Sequence, residues 1–342
     1  MTRLLAVRDL VLEIDTPRGP VRPVDGAALD CARGELVGIV GESGSGKSML
    51  VRSIMGLLPP GSRLADTGSI VFDGQELIGA DARRRRALWG RRIALIPQDP
   101  VTSLNPVKRV GTQITDALRR VGGMGRSEAL ARAAELLRDV GVSDPRARLS
   151  LYPHEMSGGM RQRVLIAIAL ANAPDLIIAD EPTTALDVTI QRQILDLIDD
   201  LRRSRNIGVL LISHDLSVVA ARSDRVLVMY GGRLVESLPS RHLAVAARHP
   251  YTRGLLTSHP GIDGRPGAEL ATIPGEPPDI SARAARGCPF APRCTARTSR
   301  CDQEMPDLIS LSPDTEHLLA CHHPAEVMTG SADAKDSDEH AR

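Results

Sequence analysis

The stretch Gly41-Glu42-Ser43-Gly44-Ser45-Gly46-Lys47-Ser48 decides the fold of this chain. It fits the pattern G-x-x-x-x-G-K-[ST] of a phosphate-binding loop, whose glycines let backbone N–H groups turn toward phosphate oxygens at a helix N-terminus. An apolar run at 38–40 predicts a buried strand before the loop, and residues 49–58 predict a helix after it. The sequence therefore predicts an α/β fold in which Lys47 reaches phosphate oxygens and the Ser48 hydroxyl binds Mg²⁺.

Composition limits the classes of protein to which the chain can belong. It has 342 residues, 42% of them hydrophobic and 25% charged, the usual balance of a globular protein large enough for two domains. The net charge of +1 gives no global field that would favour nucleic acid. No apolar run reaches about 18 residues, and the N-terminus lacks a signal-peptide core. We therefore expect a cytosolic chain that contacts a membrane only through partners.

Polar side chains follow three further predicted strands, where α/β sheets place their ligands. They are Gln98 after residues 93–96, Asp180 and Glu181 after 176–179, and His214 after 209–212. An acid at such a strand end can hold Mg²⁺, and the adjacent Glu181 can accept a proton from an attacking water. The alternatives are a pair of surface carboxylates and a structural or solvated histidine, but the phosphate loop favours the functional interpretation.

A second glycine-rich helix start follows a helical stretch at 101–156. One helix there has apolar residues at helical spacing, namely Leu130, Ala134, Leu137 and Val140. Ser157-Gly158-Gly159 then opens another helix. Ser157 could act only as its N-cap, or the three residues could bind a phosphate at the bare helix N-terminus. Taken alone, the residues leave both interpretations open.

The two ends of the chain differ in composition and in the structure that they predict. Residues 1–36 predict antiparallel strands, and residues 226–237 predict a hairpin that turns at two glycines. After residue 240, prolines punctuate a loop-rich region, and four of the five cysteines lie beyond residue 287. From Ala325 the chain is small, polar and charged, which predicts a disordered tail.

In this order the motifs resemble the nucleotide-binding subunit of an ABC transporter. The match rests on six motifs within residues 1–240, namely 41–48, Gln98, 157–159, 180–181, Asp187 and His214. The form S-G-G-M-R-Q-R at 157–163 is similar to that of oligopeptide and dipeptide importers, as are segments 249–253, 273–278 and 287–294.

The resemblance implies a P-loop ABC ATPase core with an antiparallel β subdomain and an inserted helical subdomain. The nucleotide-binding domain is expected over residues 1–248, with the helical subdomain at about 101–165. A small, loop-rich C-terminal domain that holds a metal or cluster is expected over 249–325, followed by a disordered tail over 326–342.

The resemblance also assigns roles within the site. ATP is expected to bind the loop through Gly41, Ser43, Gly44, Ser45, Gly46, Lys47 and Ser48. Mg²⁺ is expected at Ser48, Gln98 and Asp180, and the catalytic residues are expected to be Glu181 as base, His214 and Gln98. Asp187 is expected to belong to a nucleotide site, while Ser157, Gly158 and Gly159 are expected to contact the γ-phosphate bound to a partner subunit.

Such subunits usually pair with a second, related ATPase, or with a second copy of themselves. The pair acts on two transmembrane permeases fed by an extracytoplasmic substrate-binding protein. The resemblance thus implies ATP hydrolysis that powers uptake of oligopeptides or dipeptides at the cytoplasmic face of the inner membrane, with no nucleic-acid partner. Nickel chelates and oligosaccharides, which travel through similar systems, are the alternative cargoes.

Two other activities are disfavoured. A soluble ABC ATPase of DNA repair or translation carries paired cassettes, long coiled coils or basic surfaces, whereas this chain has one cassette, no heptad array and a net charge of +1. A non-hydrolysing subunit is disfavoured because Glu181 and His214 are both present.

The chain departs from the family pattern at the position that is expected to contact the adenine base. The family usually stacks the base on an aromatic residue from the first strands, but this chain has no Phe, Trp or Tyr before Phe72. Arg18 could stack on the base instead through its guanidinium plane.

The cysteines Cys288, Cys294, Cys301 and Cys321 form the pattern C-x5-C-x6-C-x19-C. In a reducing cytosol this clustering favours a metal over disulfides, with reduced, unliganded thiols as the alternative. Structural zinc sites favour ligand pairs about two to four residues apart, which are absent here, whereas wide spacings suit a cubane.

The resemblance likewise implies a [4Fe–4S] cluster at these four positions, while His322 and His323 keep Zn²⁺ open as the alternative. We expect a structural role for the cluster, because its ligands are far in sequence from the phosphate loop.

Overall fold

The computed structural model of the protein describes residues 3–17, 19–184, 186–258, 272–278, 287–312 and 316–326. Arg18 and nearly all of the predicted tail lie outside these ranges. The strands are β1 (Arg3–Thr16), β2 (Gly19–Ala32), β3 (Leu36–Val40), β4 (Ser62–Leu64), β5 (Ser69–Phe72), β6 (Gln75–Glu76), β7 (Ile93–Ile96), β8 (Leu176–Asp180), β9 (Gly208–Ser213), β10 (Arg225–Tyr230), β11 (Arg233–Pro239), β12 (Ile309–Ser310) and β13 (Leu318–Leu319). The helices are α1 (Lys47–Met55), α2 (Ala82–Leu88), α3 (Pro100–Ser103), α4 (Val110–Arg120), α5 (Arg126–Asp139), α6 (Pro145–Arg148), α7 (Gly158–Leu170), α8 (Val188–Arg205), α9 (Leu216–Arg222), α10 (Leu243–Ala246), α11 (Pro250–Thr257) and α12 (Ser299–Gln303).

The central sheet brings the predicted strand ends to one edge. Within the described ranges its order is β12-β13-β11-β10-β3-β9-β8-β7. Strands β10, β3, β9, β8 and β7 run parallel, and the register pairs Val40 with Ser213 and Ile96 with Ala179. The loops that follow these strands are therefore neighbours, which confirms the α/β P-loop fold expected from the sequence.

Strand β3, which leads into the phosphate loop, is buried on both faces. Val37 and Ile39 belong to a core shared with α1 and a second sheet, whose order is β2-β1-β5-β6 with β4 paired to β1. Leu36 and Val40 face the other core, which contains α7 and α8. Each fully buried aliphatic side chain contributes about 1.5–3 kcal/mol, so the strand gives the loop a rigid base. The second sheet also confirms the antiparallel strands predicted for the N-terminal region.

Helices α3 to α7 form the helical layer predicted between β7 and β8. Three residues of the predicted apolar stripe are buried, namely Ala134, Leu137 and Val140. The prediction was wrong for Leu130, which is 52% exposed. At that end of α5 the small residues Ala129 and Ala133 are buried instead, so the contact face is rotated relative to the predicted stripe.

The C-terminal segment continues the central sheet. Strand β13 pairs with β11, with Leu319 opposite Glu236, and β12 pairs with β13. The rest consists of short elements, among them α11, a 3₁₀ turn at Ala291–Arg293 and α12, as the loop-rich sequence predicted. In the part of the chain that the structure describes, no helix combines the length and apolar character needed to cross a membrane.

Candidate nucleotide-binding site

The phosphate loop joins β3 to α1 and depends on two glycines. A Cβ atom on Gly41 would lie 2.1 Å from the Met229 carbonyl oxygen, and one on Gly46 would lie 2.2 Å from that of Pro23. Any side chain at either position would therefore collide with backbone. The two glycines therefore let the loop turn so that the N-terminus of α1 points at the site. The positive end of the helix dipole favours an anion there.

Lys47 is a buried cation inside this loop. It is 5% exposed, and its Nζ donates to the carbonyl oxygens of Gly41 at 2.7 Å and Glu42 at 2.9 Å. Burial lowers the pKa of Lys47, against the attraction of Glu181 and Asp180, which raises it. These carbonyls hold the ammonium group beside the place where phosphate oxygens would bind.

Ser48 and Asp180 form the predicted pair for Mg²⁺. The Ser48 Oγ donates to Asp180 Oδ1 at 3.1 Å. Burial raises the pKa of Asp180, and the charge of Glu181 adds to this, against the hydrogen bond from Ser48. A partly buried carboxylate beside a hydroxyl is the oxygen donor set that Mg²⁺ prefers, so these residues fit the ion.

Three polar groups converge on one oxygen of Glu181. Its Oε2 accepts from Gln98 Nε2 at 3.1 Å and Thr184 Oγ1 at 3.0 Å, and lies 3.2 Å from His214 Nδ1. Glu181 has a φ of +47°, a strained backbone conformation that such a site must hold in place. The sequence placed Gln98 and His214 here but missed Thr184, whose only signal is a hydroxyl three residues after the acid.

A cavity of about 290 Å³ lies in front of these groups. It is lined by phosphate-loop residues, the first helical turn, Gln98 and Glu181, with Pro23 on one side. Gln98 and Glu181 thus face the same space as Lys47 and Ser48, whereas His214 contacts Glu181 without lining this cavity.

The residues of the second motif lie elsewhere. Ser157 Oγ accepts from the backbone N–H of Met160 at 3.3 Å, so Ser157 caps α7. A Cβ on Gly159 would lie 2.8 Å from Ile190 Cγ2, which explains the glycine by close packing against α8. None of the three motif residues lines the cavity of the phosphate loop described above.

Asp187 likewise acts in the described structure as a helix cap. Its Oδ1 accepts from the backbone N–H of Ile190 at 2.9 Å, at the start of α8. This cap places the first turn of α8 against Gly159.

The four C-terminal cysteines share one small cavity. Cys288, Cys294, Cys301 and Cys321 line a space of about 20 Å³, with His322 and His323 at its margin. Burial raises the pKa of Cys288 and Cys294, and raises the pKa of Cys321 to about 11.

Among the residues that the structure describes, no group of three or more His, Cys, Asp or Glu side chains could hold a metal ion. The thiols are the right donors for an iron–sulfur cluster, but a space of about 20 Å³ takes only about one water. As packed here, the cavity does not fit a cubane.

Fold and site together define a P-loop ATPase. The fold is similar to a solved structure described as a post-hydrolysis dimer of the ATP-binding cassette MJ0796 bound to ADP and Pi, with a TM-score of 0.62 and 26% identity. The similarity covers 69% of this chain and 99% of that one.

The family follows from the sequence comparisons. The family model for ABC transporters matches residues 24–184, and the model for the oligopeptide/dipeptide transporter C-terminal region matches residues 235–301. The chain is 46% identical to an oligopeptide transport ATP-binding protein of Salmonella typhimurium, covering 95% of both chains. It is 45% identical to a dipeptide transport ATP-binding protein of Bacillus subtilis, covering 98% of this chain and 100% of the relative. The chain belongs to the ABC transporter family.

Proposed function

We propose that this chain is the ATP-hydrolysing subunit of an importer of oligopeptides or dipeptides, peripheral to the cytoplasmic face of the inner membrane. The observation that carries the proposal is the combination of the nucleotide site with the oligopeptide/dipeptide transporter C-terminal region at residues 235–301. The relatives named for these cargoes are similar along nearly the whole chain. In this proposal residues 1–248 hydrolyse ATP and residues 249–325 form the importer-specific part.

The arrangement of the site suits hydrolysis of ATP. Ser48, Asp180 and Gln98 would hold Mg²⁺, which neutralises negative charge on the β- and γ-phosphates when it is bound. Lys47 exchanges the loop carbonyls for phosphate oxygens. Glu181 accepts a proton from the attacking water.

The groups around Glu181 then orient its carboxylate. Gln98 and Thr184 donate to Oε2, which leaves the other carboxylate oxygen, Oε1, for the water. His214, whose side chain is 59% exposed, is free to turn toward the γ-phosphate when ATP fills the cavity.

The exposed start of α7 supports a dimeric mechanism. Ser157 and Gly158 are exposed and lie outside the phosphate-loop cavity, and a similar solved cassette is a dimer. We propose that Ser157, Gly158 and Gly159 contact the γ-phosphate held by a second ATPase subunit, either a related chain or another copy. ATP then binds the closed dimer more tightly than the open dimer. This difference in affinity drives the conformational change of the two permeases.

We also propose that Cys288, Cys294, Cys301 and Cys321 are the ligands of a [4Fe–4S] cluster, with Zn²⁺ as the alternative. Support comes from the four thiols that line one cavity. As packed here the cavity is too small for a cubane, so binding of the cluster would require the cysteine side chains to repack. Iron, sulfide and zinc analysis of anaerobically purified protein tests this: about four irons per chain supports the cluster, one zinc supports the alternative, and no metal contradicts both.

The import function is tested on the assembled complex in proteoliposomes. Binding protein loaded with a tripeptide is expected to stimulate ATP hydrolysis, whereas the unloaded protein is not. Stimulation by a nickel chelate or an oligosaccharide in place of the peptide would show that the cargo is a different one. Failure of any membrane permease to co-purify with the chain would contradict an importer altogether.

A further inference from the structure

The C-terminal segment contacts the phosphate loop at Glu42. Arg293 donates from Nη1 to Glu42 Oε2 at 2.6 Å and from Nη2 to Oε1 at 3.1 Å, a bidentate ion pair. The Glu42 backbone N–H donates to the Tyr251 hydroxyl at 2.8 Å. Both the side chain and the main chain of this loop residue are therefore held by residues more than 200 positions later in the chain. We expected a structural role for the cluster because its ligands are far in sequence from the phosphate loop, but these contacts bring the same segment against that loop.

Arg293 is itself fixed in one position. It is 7% exposed, and its guanidinium also donates to the carbonyl oxygens of Pro274 at 2.7 Å and Ile273 at 3.3 Å, and to the Tyr230 hydroxyl at 3.2 Å. Together with the two bonds to Glu42, every one of the five N–H donors of the guanidinium has an acceptor. Such an arginine has little freedom to leave Glu42.

Aromatic rings enclose this contact. The chain has one Trp, three Tyr and two Phe, and three of these six rings meet here. The ring centroids of Tyr230 and Tyr251 are 4.5 Å apart, and Phe290 lies 5.2 Å and 5.5 Å from them. Rings at these distances pack favourably, and Arg293 is buried while the Glu42 side chain is 24% exposed, so the ion pair is less screened than a fully exposed surface pair.

The charges show what this contact does. Glu42 is a carboxylate within the loop that must receive a polyphosphate, and its carbonyl oxygen accepts from Lys47 Nζ at 2.9 Å. Without a cation beside it, the carboxylate would repel phosphate and compete for Lys47. Arg293 cancels that charge and fixes the backbone that holds Lys47.

We propose that Arg293 is a positioning residue for the phosphate loop, so that the cysteine-bearing C-terminal segment forms part of the ATP site. Arg293 acts through Glu42 and touches no reacting atom. Its effect falls on the binding of the phosphates, and hence on the KM for ATP rather than on kcat. Cys294 is the next residue in the chain. A change in the packing of the four-cysteine cavity would therefore affect the ATP site through Arg293.

The test uses ATP hydrolysis and fluorescent-nucleotide binding by the full-length chain. Arg293→Gln is expected to raise the KM and Kd for ATP by roughly tenfold or more, with kcat changed by less than about threefold. Arg293→Lys keeps the cation but loses the bidentate geometry, so a smaller rise is expected. Arg297→Gln is the matched control, because it removes an exposed pair with Asp302 in the same segment, at 2.9 Å, that does not touch the loop.

The decisive variant is the double change Arg293→Gln with Glu42→Gln. If charge repulsion from Glu42 causes the loss, removing that charge restores ATP affinity toward the wild-type value, whereas an arginine that acts only through its bonds to the Pro274 and Ile273 carbonyls gives no such rescue. The proposal is overturned if the KM of Arg293→Gln stays within about twofold of wild type, if Arg297→Gln raises it equally, or if the second change brings no rescue. Should Arg293→Gln fail to fold, Arg293→Lys and Glu42→Gln decide the matter by the same comparison of KM with kcat.

Discussion

Replacing Glu181 by glutamine is expected to separate the binding of ATP from its hydrolysis. The glutamine oxygen can still accept from Gln98, Thr184 and His214, which surround Oε2 at 3.0–3.2 Å. Hydrogen bonds to a neutral acceptor are weaker than those to a carboxylate, so the substitution costs about 1 kcal/mol of hydrogen-bond energy at this site. The proposed proton acceptor for the attacking water is removed, and turnover is expected to fall by roughly 10²-fold or more. ATP should bind at least as tightly as before, because one negative charge beside the phosphates has gone.

The assay is single-turnover hydrolysis of γ-labelled ATP, with equilibrium binding and size-exclusion chromatography on the same sample. We expect ATP-bound dimer to accumulate in the Glu181→Gln variant. Glu304→Gln is the control, because Glu304 is an exposed carboxylate paired with Arg300 at 2.7 Å, outside the nucleotide site. A single-turnover rate within about threefold of wild type would refute the role of Glu181 as base.

Three further predictions concern the same framework. Thr184→Val removes a hydrogen-bond donor to the Glu181 carboxylate, the proposed base, so turnover should slow by about tenfold while ATP binding is unchanged; equal weakening of both would contradict an orienting role. Gly159→Ala places a Cβ 2.8 Å from Ile190 Cγ2 and should cost about 1–3 kcal/mol in urea unfolding, recovered in part by Ile190→Ala. Burial lowers the pKa of His249 to about 4, so the unfolded chain binds its proton first and stability falls as the pH drops below the ordinary value of about 6.5. This loss should reach about 2 kcal/mol at pH 5 relative to pH 7.5, and a pH dependence unchanged in His249→Asn would disprove the assignment.

The sequence predicts the parts of the site that follow from local pattern. Parallel strands end at one edge, so residues placed directly after strands, such as Gln98, Glu181 and His214, had to meet there. The glycines of the phosphate loop were also predictable, because phosphate binding requires a close approach of the backbone.

Contacts between distant segments were not predictable. Arg293 reaches Glu42 across 251 positions, and nothing in either local sequence encodes that pairing. The exposure of Leu130 depends on how α5 is rotated against its neighbours, which helical spacing alone leaves undetermined. Four cysteines at wide spacing indicated a common site, and they do line one cavity, but its small volume could come only from three-dimensional packing.

The central claim, that this chain powers peptide import with ATP, is tested most directly by uptake into proteoliposomes. The complex is reconstituted with its permeases, ATP is supplied on the side of this chain, and a radiolabelled tripeptide is delivered by the binding protein on the other side. The account predicts uptake that requires ATP hydrolysis and is abolished by Glu181→Gln in this subunit. Peptide uptake that continues undiminished in that variant would contradict the claim.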